Sequence, residues 1–251
     1  MKTPVETTRA FATTAKRKVD TKFSNLVVLG IFAGIYSALG GIGAQVVQAS
    51  ISDGFGKVLS SFVFPVGSIL INCCGGVLFT GNCLMVIGYQ HHNITLKELV
   101  KYLLIVYFSN FLGCLLVVCC VRYSGLCIGT LAEIMISTAE RKVALSPLEA
   151  VNRGILCSIL VNLGSWISYA SSSLSGKILG VFFPTMLFFL CGFEQCITNM
   201  YFIPIGMLLN REITMLGFLS NLLFVTIGNL IGGAVIVGIG YWSVYVKDAE
   251  F

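Results

Sequence analysis

The sequence predicts an all-α integral membrane protein of six transmembrane helices, built as an inverted repeat of three plus three with the second and fifth helices broken. Three observations predict this: an apolar composition, long stretches without charge, and residue patterns that occur twice. Of 251 residues, 56% are hydrophobic and 11% are charged, against roughly a quarter charged in soluble globular domains. Asp, Glu, Lys and Arg are absent from Phe23–Ser52, Val58–Leu96, Tyr102–Val121, Gly154–Gly176 and Ile213–Val246, and Ile178–Asn210 is interrupted only by Glu194. Each stretch reaches the about 20 apolar residues that carry a helix across a hydrocarbon core of roughly 30 Å. The first is too long, and begins too late, for a cleaved signal peptide with its apolar region of about 7–15 residues. Barrel strands would alternate in and out of the membrane, whereas Leu103-Leu104-Ile105-Val106 and Leu115-Leu116-Val117-Val118 are apolar on every face.

In chain order, residues 1–25 form a cytoplasmic tail, 26–123 the first three spans, 124–149 a connecting segment, 150–246 the second three spans, and 247–251 a second cytoplasmic tail. In the first tail, Thr3-Pro4-Val5-Glu6 reads as a capping box with proline at the first helical position. A short amphipathic helix over residues 4–20 follows, its basic face laid on anionic headgroups or turned to water. An even number of spans puts both termini on one side. The basic tails, Lys247 included, tip the balance of Lys and Arg toward that side, which the positive-inside rule makes cytoplasmic. Lys57, Arg122, Arg141, Lys142, Arg153 and Arg211 fall on the other side, where a cation can attract an anion. The ten cysteines contain no Cys-x-x-C and no Cys-His spacing suited to a metal. They read as small apolar residues, and His91-His92 as a solvated loop pair. No metal, cofactor or catalytic residue is expected, and the net charge of +5 calls for no nucleic acid.

Phe64-Pro65 returns as Phe183-Pro184, 119 positions later. Each is followed by a glycine and then by Thr and Asn: Gly75 with Thr80 and Asn82, Gly192 with Thr198 and Asn199, the glycines and asparagines being 117 apart. Asn110-Phe111-Leu112-Gly113 matches Asn229-Leu230-Ile231-Gly232 at 119, and Gly30-Ile31 matches Gly154-Ile155 at 124. With an odd number of spans in each half, the second half enters from the opposite side, an arrangement common to transporters and channels. The two glycine interruptions occupy corresponding places, and non-helical backbone at membrane depth is tolerated where protein or a water-filled cavity satisfies it. Half-helices restarting at Gly81-Asn82 and near Cys196-Ile197 would turn N–H groups and positive dipole ends toward one midpoint, which favours an anion. Gly34, Gly40, Gly41, Gly43, Gly232 and Gly233 read instead as close helix contacts.

With these segments in view the sequence resembles the formate/nitrite transporter family of formate, nitrite and hydrosulfide channels. The resemblance is carried by Gly75-Gly76-Val77-Leu78-Phe79-Thr80-Gly81-Asn82, by Gly192-Phe193-Glu194-Gln195-Cys196-Ile197-Thr198-Asn199 and its continuation to Pro204, and by Gly228-Asn229-Leu230-Ile231-Gly232-Gly233-Ala234. It implies an aquaporin-like protomer, a homopentamer with one pore in each protomer, residence in the cell membrane, and passage of small monovalent anions of weak acids. It also implies that Thr80 and Asn199 line the pore, that Lys142 stands in a vestibule, and that Leu78, Phe79 and Phe188 form apolar constrictions. Where the family usually has a histidine after Gly-Phe-Glu, this chain has Gln195, and Ser158 stands where asparagine is common.

Read from the residues alone, Lys142 is equally a solvated lysine of the connecting segment, and Phe79 and Phe188 are core aromatics. Glu194 is the one acid within a span, functional by its cost, or structural, neutral or bonded to backbone N–H groups at the break. The expected mechanism has an anion drawn in by Lys142, its pKa raised by desolvation, and crossing with a proton past a polar midpoint of Thr80, Asn199 and Gln195. The alternative is an aquaporin-like channel for small neutral solutes, against which stand Lys142 and the lack of Asn-Pro-Ala at either break. A membrane enzyme or electron carrier would need haem ligands, a cysteine cluster or paired carboxylates within the spans.

Overall fold

The computed structural model describes residues 1–51 and 53–246. Ser52, at the end of the first uncharged stretch, and the expected C-terminal tail 247–251 with Lys247 lie outside the described residues. The described elements are all helical. Helix α1 (Pro4–Val19) has the expected capping box, with the Glu6 N–H donating to Thr3 Oγ1 and the Thr3 N–H to Glu6 Oε2. Lys16 and Arg17 are exposed on one face, and the other face is packed into the protein. Thr7, Thr8, Phe11, Ala12 and Ala15 are buried, and Phe11 stacks between Trp166 and Tyr169. An apolar stripe of this kind is stabilised by burial in protein more than by headgroups.

Helix α2 (Phe23–Ser50) leads to α3 (Gly54–Val63) and α4 (Pro65–Cys74), which follow one another closely as a 21-residue apolar run, Pro65 standing at the first position of α4, where its missing N–H costs little. The chain then leaves helical form, resumes as a 3-10 helix over Thr80–Met85, and continues as α5 (Val86–Gln90). The restart thus comes at Thr80, one residue before the expected Gly81, and the Asn82 side chain donates back to the Leu78 carbonyl. Helix α6 (Leu96–Tyr123) opens on a Thr95/Glu98 capping box, and α8 (Pro147–Ala170) on a Ser146/Glu149 one. Between them the connecting segment is largely helical, as α7 (Gly129–Val143), so Lys142 lies in a last helical turn rather than in a loop. Helix α9 (Leu174–Leu190) stops before Gly192 and α10 (Cys196–Leu209) starts after Gln195. Helix α11 (Met215–Leu230) passes through a π-helical stretch (Ile231–Ile239) into α12 (Gly240–Tyr245).

Among the described residues, five helical runs are long and apolar enough to cross a membrane: Phe23–Ser50, Gly54–Cys74, Leu96–Tyr123, Pro147–Ala170 and Met215–Tyr245. The remaining stretch, the one interrupted by Glu194, is divided between α9 and α10, both shorter. Helix α2 packs along α6 and α8 along α11. These contacts are close: a Cβ at Gly113 would collide with the Ile31 carbonyl, and one at Gly232 with the Ile155 carbonyl, the same pair in each half. Leu104, Phe108, Leu112 and Leu116 of α6, spaced four apart, are exposed, as a surface facing lipid or another protomer would be.

Candidate functional site

The two interruptions are built by the same hydrogen bonds, residue for residue. In the first, the Val77 N–H donates to the Leu29 carbonyl at 3.0 Å. Asn110 receives the Phe79 N–H at 2.9 Å and donates to the carbonyls of Gly30 and Val77 at 2.8 and 2.9 Å. In the second, the Glu194 N–H donates to the Arg153 carbonyl at 3.2 Å. Asn229 receives the Cys196 N–H at 2.9 Å and donates to Gly154 and Glu194 at 2.8 and 3.0 Å. Every partner in the second set is the repeat mate of its counterpart in the first. A side-chain amide can supply two donors and an acceptor at once, so one asparagine satisfies backbone groups that a broken helix leaves open. Gly75 and Gly192, also repeat mates, turn the chain at φ 89° and 70°, a backbone region in which only glycine is unstrained.

Each interruption opens on its own cavity. The first, of about 240 Å³, is lined by Gly75, Leu78, Asn82, Thr185 and, from α1, Phe11 and Lys18. The second, of about 510 Å³, lies where α2 ends and is lined by Lys142, Arg153, Phe188, Gly192, Glu194 and Phe202 among others. Thr80 and Gln195 line neither cavity. Both are buried, and the Gln195 Nε2 donates to Thr80 Oγ1 at 3.0 Å, joining the two interruptions to each other. Leu78 faces the first cavity and Phe188 the second. Phe188 stands edge-on to Phe64 at 5.5 Å, while Phe79 lies off both cavities, edge-on to Tyr107 at 4.9 Å.

Glu194 departs from the expectation of backbone bonding: its carboxylate meets Lys142 Nζ at 2.9 Å through both oxygens. Asn199 Nδ2 donates to Glu194 Oε2 and to Asn221 Oδ1, each at 2.7 Å, and Asn221 Nδ2 returns to the Lys142 carbonyl at 2.7 Å. The four residues close a ring. An acid and a base that are this nearly buried are each costly alone and tolerable together, which is why the one acid in a span sits beside this lysine. Asn199 lines neither cavity. Ser158 is apart from this group, its hydroxyl taking a bond from Asn162. It too lines neither cavity.

Sequence reasoning missed Lys18. Its Nζ donates to Asn82 Oδ1 at 2.6 Å, at the first cavity, so each asparagine of the repeated pair is joined to a lysine, Asn82 directly and Asn199 through Glu194. Burial, and secondarily the neighbouring Arg17 charge, pull the Lys18 ammonium down to about 8. The capping box signalled the helix that carries Lys18, but no local pattern shows where that helix docks.

The formate/nitrite transporter family matches residues 5–243, nearly the whole described chain. The protein belongs to the formate/nitrite transporter family. Among relatives, a probable formate transporter of Methanothermobacter thermautotrophicus is 31% identical over 98% of each chain. The formate channel FocA of Escherichia coli K12 is 33% identical over 88% of this chain and 87% of its own. A solved pentameric formate channel with formate bound, 29% identical, superposes with a TM-score of 0.82 over 90% of this chain and 98% of that one. As a member of the formate/nitrite transporter family with several membrane-capable helices, the chain is a multi-pass membrane protein.

Proposed function

We propose that the protein is a homopentameric channel of the cell membrane that passes small monovalent anions of weak acids, formate first among them, through a pore in each protomer and together with a proton. Family membership and relatives named as formate channels support the substrate class, and the pentameric relative supports the assembly. The observation that carries the reading is that each interruption borders a cavity of its own, with apolar Leu78 on one and Phe188 on the other, while the buried Thr80–Gln195 contact joins the two interruptions. In this reading the chain crosses six times as an aquaporin-like inverted repeat, α9 and α10 together making one crossing, with both termini and α1 in the cytoplasm.

A charge entering the apolar zone is strongly penalised, and the same penalty raises the pKa of a weak acid. The larger cavity collects the anion through Lys142, Arg141, Arg153 and Lys57, set against Asp53 and Glu194. A proton taken there from vestibule water lets the acid pass neutral. Thr80 and Gln195 then exchange their mutual bond for bonds to the substrate, with Asn199 holding the Glu194–Lys142 pair in register behind them. An amide does not titrate near neutral pH, so Gln195 orients the substrate and donates no proton to it. Nitrite and hydrosulfide satisfy the same chemistry.

The test is uptake of formate, nitrite, hydrosulfide, lactate and glycerol by proteoliposomes across a pH series. At least one small anion is expected to pass, faster when its own side is acidified. Ready passage of glycerol or water with no anion would replace this reading by the neutral-solute channel.

A further inference from the structure

We propose that Gln45 is an anion-binding, specificity-determining residue of the larger cavity, selecting anions that offer oxygen acceptors. The proposal rests on the channel reading above and names a group that this reading does not use. Gln45 lies on α2, is 2% exposed and belongs to the cavity lining. Its Oε1 accepts from the buried Tyr201 hydroxyl at 3.1 Å, and its Nε2 has no hydrogen-bond partner. In this orientation the hydroxyl donates to the amide oxygen, which leaves the amide N–H₂ as the open group.

An unpaired buried N–H₂ is costly to keep, and its surroundings show what would satisfy it. Lys57, Arg141 and Arg153 line the same cavity, with Asp53 as the acid beyond the Lys142–Glu194 pair. The excess is positive, so the group that comes to this donor is an anion. Neighbouring polar side chains of the lining are already engaged. Gln48 Nε2 donates to Ser60 Oγ at 3.0 Å, and the Thr198 hydroxyl to the Gln195 carbonyl at 2.9 Å. The repeat supplies an independent observation: the mate of Gln45 at the α2-to-α8 offset is Tyr169, and Tyr169 lines the other cavity. This register position therefore borders a vestibule in both halves.

An amide N–H bonds well to a charged oxygen of a carboxylate or nitrite, whereas sulfur is a weak acceptor. Gln45 should thus discriminate formate and nitrite from hydrosulfide. The experiment measures initial uptake of formate and of hydrosulfide against concentration, with substrate on the side of this cavity, for the wild type, Gln45→Met and Gln45→Glu. Loss of a bond to a charged group predicts that Gln45→Met raises the half-saturating formate concentration about tenfold. Its maximal rate and its half-saturation for hydrosulfide should stay within about twofold, since neither depends on this bond. Gln45→Glu, which keeps the size and the acceptor for Tyr201, should weaken formate further by setting a carboxylate against it.

Equal shifts for the two anions, or no shift for formate, overturn the proposal while leaving the channel in place. If Gln45→Met is not recovered as an oligomer of wild-type size, Gln45→Glu decides alone, and a wild-type half-saturation for formate in that variant overturns the proposal. A wild type that passes neither anion brings down the channel reading and this one with it.

Discussion

The interruptions after α4 and after α9 share a backbone and differ in chemistry. Their asparagine clamps, Asn110 and Asn229, and their turning glycines match atom for atom. Between glycine and asparagine, however, Val77-Leu78-Phe79-Thr80 in the first half stands opposite Glu194-Gln195-Cys196-Ile197 in the second. Thus the duplicated part satisfies an opened helix, and the diverged part carries different chemistry: apolar residues and one hydroxyl from one side, an acid and an amide from the other. A buried acid also demands a base, and Glu194 finds one on the connecting helix α7, Lys142 at 2.9 Å. The lesson is that the constraint on broken backbone is symmetrical, whereas the chemistry of a pathway need not be.

If that division is right, breaking the clamp should be equally severe in either half. Asn110→Leu and Asn229→Leu each orphan one N–H and two carbonyls, and leaving buried polar groups unpaired costs about 1–3 kcal/mol apiece. Both variants are expected to lose several kcal/mol and to melt or dissociate at distinctly lower temperature, as followed by size-exclusion chromatography after heating. A large loss from one variant and none from the other would end the claim that the two breaks are held by one device.

The next effect should be one-sided. Glu194→Val makes the second break chemically like the first and strips both Lys142 and Asn199 of a partner. Removing one member of a buried ion pair costs about 3–5 kcal/mol, so this variant should be strongly destabilised and inactive in uptake. Val77→Ala, at the equivalent place, removes two methyl groups from a half-buried side chain, and about 1 kcal/mol is expected. Comparable melting temperatures for the two variants would deny the asymmetry.

At the contact between the halves, Gln195→Leu leaves the Thr80 hydroxyl without its partner, a loss of about 1 kcal/mol in stability. Anion flux should fall at least about tenfold if a polar midpoint lowers the barrier. Gln195→His should retain transport and add a pH dependence near 6.5, the ordinary imidazole value. Native flux through a pentameric Gln195→Leu protein would show that the pathway needs no polar group there.

What the sequence made legible was the repeated part. Three offsets, read from short matches such as Asn110/Asn229 and Gly30/Gly154, already paired the atoms of both clamps, because one set of backbone demands was written twice. The unrepeated contacts had no such double record. Lys142 and Glu194 are 52 positions apart, Lys18 and Asn82 64, and Gln195 and Thr80 115. No helical or strand period relates such residues; only the packing of separate elements brings them together. For the same reason the capping box of α1 could be read while its burial against Trp166 and Tyr169 could not.

The smallest expected effect separates the two lysines that end these networks. Lys142 has a carboxylate at 2.9 Å, while Lys18 donates to the neutral amide of Asn82 and its ammonium is drawn from the ordinary 10.5 to about 8, by burial first and Arg17 second. The direction of linkage follows from that depression. Below pH 8 Lys18 is charged both folded and unfolded, so its burial weighs fully against docking of α1; the penalty fades as pH rises through 8 toward 10.5. Over the same rise the smaller cavity loses a positive charge, and the local anion concentration it sustains falls. Uptake from the α1 side at low substrate and low salt should therefore weaken about threefold more between pH 7 and 9 in the wild type than in Lys18→Arg, whose guanidinium stays charged. The comparison with Lys18→Arg matters because loss of protons from the medium slows both proteins alike. Identical profiles would mean that the lysine holds its proton throughout, and that the two ends of the pathway present cations of the same kind.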